Sequence, residues 1–148
     1  MALEDIKTLD DPLYHSRTTI LEETAREKSK LLNRELRADE NVYVQSGGTG
    51  VLSAYMHTHL RRGDEVILFE PFFLWWRTFA NAGITIKYAK PLFNENKFCH
   101  AEIDFEYIRS LITPNTKLIL IINPNNPDGR VWLRSELEEL AKIVQENP

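Results

Sequence analysis

The chain has 148 residues, 43% of them hydrophobic and 27% charged, which is ordinary globular composition and enough apolar mass for one domain with a sizeable core. A formal net charge of −4 without a basic cluster argues against a nucleic-acid surface, which needs positive charge to neutralise phosphates. The single cysteine, Cys99, excludes an intrachain disulfide framework, and no apolar run approaches the ~20 residues of a membrane helix. Met1 to Lys7 is mixed and acidic, unlike a secretory signal, so the expected location is the cytoplasm, or the mitochondrion if the true start lies upstream.

The first predicted element is an amphipathic helix from Thr18 to Leu36, with Leu21, Ala25, Leu32 and Leu36 at helical spacing among charged residues. Alternating Val42 to Gln45 reads as a strand, and Val51 to Leu60 as the helix after it. Strands follow at Glu65 to Phe69, Ile84 to Tyr88 and Leu118 to Ile122, with helices between them at Leu74 to Ala82 and Phe105 to Ile112. Asp104 is placed to cap the latter. A last helix, Glu136 to Gln145, is expected to start on a capping box of Ser135 and Glu138. Leu118 to Ile122 is apolar on both faces, as in a central parallel strand covered by helices on each side, and the alternating order predicts an α/β fold. Ending at Asn147-Pro148, just after a helix that should lead into another strand, the chain reads as a truncated α/β domain.

Two motifs carry chemistry. Gln45-Ser46-Gly47-Gly48-Thr49-Gly50 sits at a strand-to-helix junction, where backbone N–H groups can approach an anion favoured by the helix dipole. The bland alternative is a flexible turn that starts the helix with Thr49 as its cap. Asn123-Pro124-Asn125-Asn126-Pro127-Asp128-Gly129-Arg130 follows the apolar strand. Its prolines stiffen the loop, and its asparagines offer both donor and acceptor to a polar ring, although the same residues also make ordinary turns. Between these motifs, Glu70-Pro71-Phe72-Phe73-Leu74-Trp75-Trp76 puts four aromatics past a strand end, on the rim where open α/β sheets bind ligands; they read equally as core filler or as a rim aromatic offering its face to a planar ring.

Weaker signals read as structural. His57 and His59, two apart on a helix, point to different sides and lack a completing ligand set, so no metal site is expected. Cys99-His100, adjacent in an extended segment, face opposite ways and do not form a nucleophile and base pair.

Taken together, Ser46-Gly47-Gly48-Thr49-Gly50, Glu70-Pro71-Phe72-Phe73 and Asn123-Pro124-Asn125-Asn126-Pro127-Asp128-Gly129 resemble the first half of the large domain of class I/II pyridoxal-phosphate aminotransferases. Gly63-Asp64-Glu65-Val66-Ile67 and the Glu-Pro-Phe-Phe run are similar to the branch of kynurenine aminotransferase and glutamine transaminase K. The resemblance implies a partial three-layer α/β/α domain with a mainly parallel sheet over 17–148, preceded by an N-terminal arm at 1–16. It implies pyridoxal 5'-phosphate as cofactor, with Gly47, Gly48 and Thr49 around its phosphate. Phe73, 25 positions after Gly48, would stack on its ring, and Asn126 would donate to its phenolic oxygen. The parent reaction would be amino transfer between an α-amino acid, such as kynurenine, glutamine or another aromatic or sulfur amino acid, and a 2-oxo acid, in a homodimer. Carbon–sulfur β-elimination would be a side activity of that branch.

The chain departs from the pattern as well. The family's cofactor-linking Lys, its Asp on the pyridine nitrogen and its Arg for the substrate carboxylate have no counterpart here, so no catalytic residue is assigned and the chain alone is expected to be inactive. Arg17-Thr18-Thr19-Ile20-Leu21-Glu22 replaces the glycine-containing signature of the substrate-binding arm. Two other readings stand beside this one. The first is a Rossmann-like dinucleotide-binding domain using Gly48-Thr49-Gly50 and Glu70, although Ser53 occupies the place of the third glycine. The second is a truncated, non-catalytic subunit that acts as an interaction module.

Overall fold

The computed structural model describes residues 12–73, 76–92 and 102–148. The chain divides into two compact units, Met1–Val51 and Leu52–Pro148. In the first, helix α1 spans Pro12–Leu32. It begins and ends earlier than the apolar spacing predicted; it stops at Leu32 because Asn33 adopts a left-handed φ of 47°, a conformation asparagine tolerates better than most residues. Of the predicted stripe Ala25 is buried, whereas Leu32 is 60% exposed and Leu36 lies past the helix end. Ser29 fastens the turn that follows: its hydroxyl donates to the Ala25 carbonyl at 2.7 Å and accepts the Leu36 N–H at 2.9 Å. A one-turn helix, α2, covers Ala38–Asn41.

The expected strand at Val42 to Gln45 does not form. Among the described residues no strand pairs with it, and Tyr43 and Val44 are 57% and 50% exposed. Alternating β-branched residues make a strand only when a neighbour takes up their backbone N–H and C=O groups, so pattern alone was insufficient here.

Helix α3, Gly47–His59, runs from the first unit into the second. The second unit is built on three strands, β1 Glu65–Phe69, β2 Thr85–Ala89 and β5 Thr116–Leu120, ordered β2-β1-β5 and all parallel. β1 matches its predicted bounds. β2 and β5 lie one and two residues from theirs, since pairing with β1 rather than hydropathy sets where each ladder starts. A two-residue antiparallel pair, β3 Pro91–Leu92 with β4 Glu102–Ile103, was too short to show as a pattern. Helices α4 Trp76–Asn81, α5 Phe105–Leu111 and α6 Arg134–Glu146 complete the unit. Among the described residues, no helix is long and apolar enough to cross a membrane.

The central strand sorts the core by its period of two. Ile67, with Phe69 beside it, packs with Ile108 of α5, Leu140 and Ile143 of α6, and Trp132. Val66 and Leu68 pack on the other face with Met56 of α3, Phe79 of α4 and Ile84. Helices therefore cover both faces, as expected of a layered α/β unit. Val66, Ile67 and Leu68 are at most 1% exposed, and burying each side chain contributes ~1.5–3 kcal/mol.

Polar fasteners close the unit. The Glu65 carboxylate accepts from Lys87 at 2.8 Å, Thr113 at 2.5 Å and Thr116 at 3.0 Å, tying β1 to β2 and to the turn before β5. Arg109 of α5 bridges to Glu139 at 2.8 Å and to Glu146, both on α6. Asp104 caps α5 as predicted, accepting the Tyr107 N–H at 2.9 Å. The cap of α6 differs. Glu136, not Glu138, accepts the Leu133 N–H at 2.8 Å, and the helix starts at Arg134, because Arg130 holds the other Glu136 oxygen at 2.5 Å and orients the carboxylate toward the helix start.

Candidate functional site

In the first unit, the glycine-rich segment is itself the opening turn of α3. The sequence placed the helix start at Val51; the structure places it at Gly47, whose φ of +73° is the left-handed bend that lets the chain enter the helix. Gly47, Gly48 and Thr49 are exposed. The first N–H groups of an α-helix have no intrahelical acceptor and lie at the positive end of its dipole. Thr49 is the third residue of the helix and adds a hydroxyl to this turn rather than capping it from outside.

In the second unit, the asparagine loop is internally fastened. Asn123 Oδ1 accepts the Trp132 N–H at 3.1 Å. The Asn125 N–H donates to the Arg130 carbonyl at 2.7 Å, and the Gly129 N–H donates back to the Asn125 carbonyl at 2.9 Å. Gly129 makes this reversal with a φ of +69°, which a residue with a Cβ adopts only under strain. Arg130 lies over the Trp132 ring at 5.0 Å, and Trp132 meets Phe69 edge-on at 4.7 Å, so the far end of the loop is anchored in the core. The bonds Glu70–Pro71, Asn123–Pro124 and Asn126–Pro127 are cis.

The aromatic segment runs beside this loop. Asn125 Nδ2 donates to the Pro71 carbonyl at 2.9 Å, a contact between residues 54 positions apart. Phe72 turns inward, packing on the Met56, Val66 and Leu68 cluster and stacking on Tyr88 with ring centroids 5.5 Å apart. Phe73 is 45% exposed, and Asn126 is exposed. Of the residues singled out from sequence, the structure thus brings the loops of Phe73 and Asn126 together. It also reveals Asn125, whose carboxamide joins them. The run of asparagines was the available signal, yet which one reaches across depends on the turn geometry.

Each unit, taken by itself, offers groups of a recognisable chemistry. A helix start free of bulky side chains suits a phosphate, while an exposed ring and a neighbouring amide suit the face and edge of a polar ring. A small cleft of about 30 Å³, open to solvent, lies at the ends of β1 and β2, lined by Phe69, Glu70, Lys90, Asp128, Arg130 and Trp132 among others. Neither Phe73 nor Asn126 is in its lining, although Asn125 is.

His59 stacks on Tyr55 at 4.3 Å and shares a 2.6 Å contact with the Thr58 hydroxyl. No group of three metal-binding side chains occurs among the described residues. Cys99 and His100 lie outside the described residues, as do Trp75 and most of the predicted N-terminal arm. Lys87 is held by Glu65, Lys117 by the Pro114 carbonyl and Lys142 by Glu139, each away from the two loops.

Known proteins resemble this chain in sequence and in fold. The family described as aminotransferase class I and II matches residues 14–148. The probable kynurenine–oxoglutarate transaminase BNA3 of Saccharomyces cerevisiae is 35% identical over 151 residues, covering 93% of this chain and 34% of its own length. Among solved structures, Bna3p from Saccharomyces cerevisiae superposes with a TM-score of 0.79 at 32% identity, over 85% of this chain and 31% of that one. A C–S lyase from Staphylococcus hominis, solved with pyridoxal phosphate bound, gives 0.61 at 29% identity, over 68% of this chain and 26% of that one. The chain therefore spans about a third of the length of the relatives it matches. The dinucleotide-binding alternative falls with these matches: the described residues before the glycines form no strand, and Ser53 sits inside α3. Sequence match, α/β fold and the order of the three motifs agree that this chain belongs to the class I and II aminotransferase family, whose cofactor is pyridoxal 5'-phosphate.

Proposed function

We propose that the chain contributes the phosphate- and ring-binding residues of a pyridoxal-phosphate aminotransferase, acting with an α-amino acid as donor and a 2-oxo acid as acceptor. The kynurenine transaminase relative favours kynurenine and other aromatic donors. Gly47, Gly48 and Thr49 take the phosphate through the first N–H groups of α3 and the Thr49 hydroxyl. Phe73 stacks on the ring, and Asn126 donates to its phenolic oxygen. When bound, the cofactor supplies an electron sink for the substrate α-carbon; the protein positions and tunes it. The carrying observation is the split between adjacent phenylalanines. Phe72 is spent in the core, while Phe73 stays exposed on a segment fastened to the asparagine loop.

These residues bind and orient; none of them transfers a proton. That work needs a basic group at the substrate α-carbon; Lys87, Lys117 and Lys142 are engaged elsewhere, and no lysine of this chain stands in a motif matching the family's cofactor-linking one. The chain by itself is accordingly a binder without turnover. The test is titration of the labelled chain with inorganic phosphate and with pyridoxal phosphate, following backbone amides. Gly47 to Gly50 should shift with both ligands, and Phe73 and Asn126 with pyridoxal phosphate only. Shifts elsewhere with silence at these residues would overturn the assignment.

A further inference from the structure

We infer that Asn125 is a positioning residue whose carboxamide brackets the Phe73 segment to the Asn126 loop and so sets the spacing between the ring-stacking and ring-donating groups. The inference rests on the cofactor reading above for its functional consequence, but its structural content stands on its own contacts.

A carboxamide nitrogen has two hydrogens, and both are used here. One goes to the Pro71 carbonyl at 2.9 Å, the other to Asp128 Oδ1 at 2.7 Å. Two acceptors on the same side decide which way the amide faces, because a flipped carboxamide would set its oxygen against both. Asp128 is held in turn, since its Oδ1 also accepts the Arg130 N–H at 3.2 Å. The main chain of Asn125 is fixed at both its N–H and its carbonyl, to Arg130 and Gly129. The bracket therefore has a rigid base in the asparagine loop and a single reach, to Pro71. Pro71 is a good handle: its ring limits φ, and Phe72 next to it is clamped between the core and Tyr88. Phe73 follows directly, and Asn126 is the neighbour of Asn125 on the other side of the bracket. The bond to Pro71 therefore ties the two loops directly, and losing it loosens the Phe73 segment relative to Asn126.

A purely local role, in which Asn125 only folds its own loop, makes a different forecast, and exchanging partners separates the two. In the double variant Asn125→Asp/Asp128→Asn the carboxamide and carboxylate trade places, so the internal bond is restored while nothing donates to Pro71. In Asp128→Ala the internal bond is lost while the Pro71 bond remains. Two readouts are taken on the full chain. Amide hydrogen exchange at Phe72 and Phe73, with Ile108 and Ile143 as controls for global opening, needs no ligand. The dissociation constant for pyridoxal phosphate reports the consequence. Asn125→Ala and the exchanged pair should both speed exchange at Phe73 by roughly fivefold and weaken cofactor binding by roughly fivefold, the worth of one neutral hydrogen bond. Asp128→Ala should change Phe73 less. Adding Asn125→Ala to Phe73→Ala should weaken binding no further, because the bracket acts through that ring. Wild-type exchange at Phe73 in the exchanged pair, or in Asn125→Ala with the controls unmoved, would overturn the bracket. If the unmodified chain takes up no pyridoxal phosphate, the cofactor reading fails, and the exchange readout still decides whether the two loops are tied by Asn125.

Discussion

Two neighbouring side chains differ in surroundings, Phe72 packed and Phe73 exposed, and under the proposed cofactor role substitutions at them should separate accordingly. Phe72→Ala removes a ring that packs on Val66 and Leu68 and stacks on Tyr88, so it should destabilise the fold by ~2–3 kcal/mol in a denaturant titration. Phe73→Ala, at an exposed ring, should change stability by less than about 0.5 kcal/mol yet weaken pyridoxal-phosphate binding, with Phe73→Tyr tolerated. A larger binding loss at Phe72, at equal stability cost, would reverse the register. Glu65 carries a different expectation. Lys87, Thr113 and Thr116 donate to its carboxylate and hold its pKa below the ordinary carboxyl value. A depressed folded pKa contributes stability at pH values above the unfolded pKa and loses it as pH falls through the folded one. Glu65→Gln should therefore cost ~1–2 kcal/mol near neutral pH, and the gap to wild type should close as pH drops below about 4, read from urea midpoints across pH.

At the scale of elements, the asparagine loop and helix α6 are joined by one carboxylate. Glu136 caps the helix at Leu133 and receives Arg130, and both side chains of the pair are under 20% exposed. Glu136→Ala removes the cap and leaves the Arg130 guanidinium in a half-buried place without its partner, a loss of ~2–4 kcal/mol. Glu136→Gln keeps an acceptor for the Leu133 N–H and should recover part of that loss. Arg130 connects this cap to the site by its place over Trp132 and its carbonyl bond to Asn125. Glu136→Ala should thus also loosen the asparagine loop, seen as faster amide exchange at Asn125 and Gly129, whereas an equal change at Arg134–Glu138, an exposed pair at 3.5 Å, should leave both stability and exchange unchanged.

For the molecule as a whole, the expectation is binding without turnover. Incubation with pyridoxal phosphate, borohydride reduction and peptide mapping should show no single stoichiometrically labelled lysine, and kynurenine or glutamine with a 2-oxo acid should give no turnover above free cofactor. One dominant labelled lysine together with turnover would show that a group in this chain does serve the α-carbon. The main ground is that no lysine of this chain stands in the family's cofactor-linking motif; Lys87, Lys117 and Lys142 are in addition engaged with a carboxylate or carbonyl, which makes an amine a poor nucleophile.

Much of this was legible from residues in order. The bounds of β1, the parallel apolar character of β5, the cap at Asp104 and the two glycine- and asparagine-rich loops each follow from local chemistry: side-chain period, capping acceptors and left-handed or proline-restricted backbone. What local chemistry could not decide was anything that depends on a distant partner. Val42 to Gln45 has the pattern of a strand and no strand beside it. Glu136 rather than Glu138 caps α6 because Arg130 orients it. Phe72 rather than Phe73 enters the core because Tyr88 of β2 offers a face to stack on. The link from Asn125 to Pro71 spans 54 positions that only folding brings within 2.9 Å. Propensity acts over a few residues, while pairing and packing act across the fold; the sequence alone determined which groups could hold a phosphorylated ring, and the tertiary structure decided which of them are tied to one another.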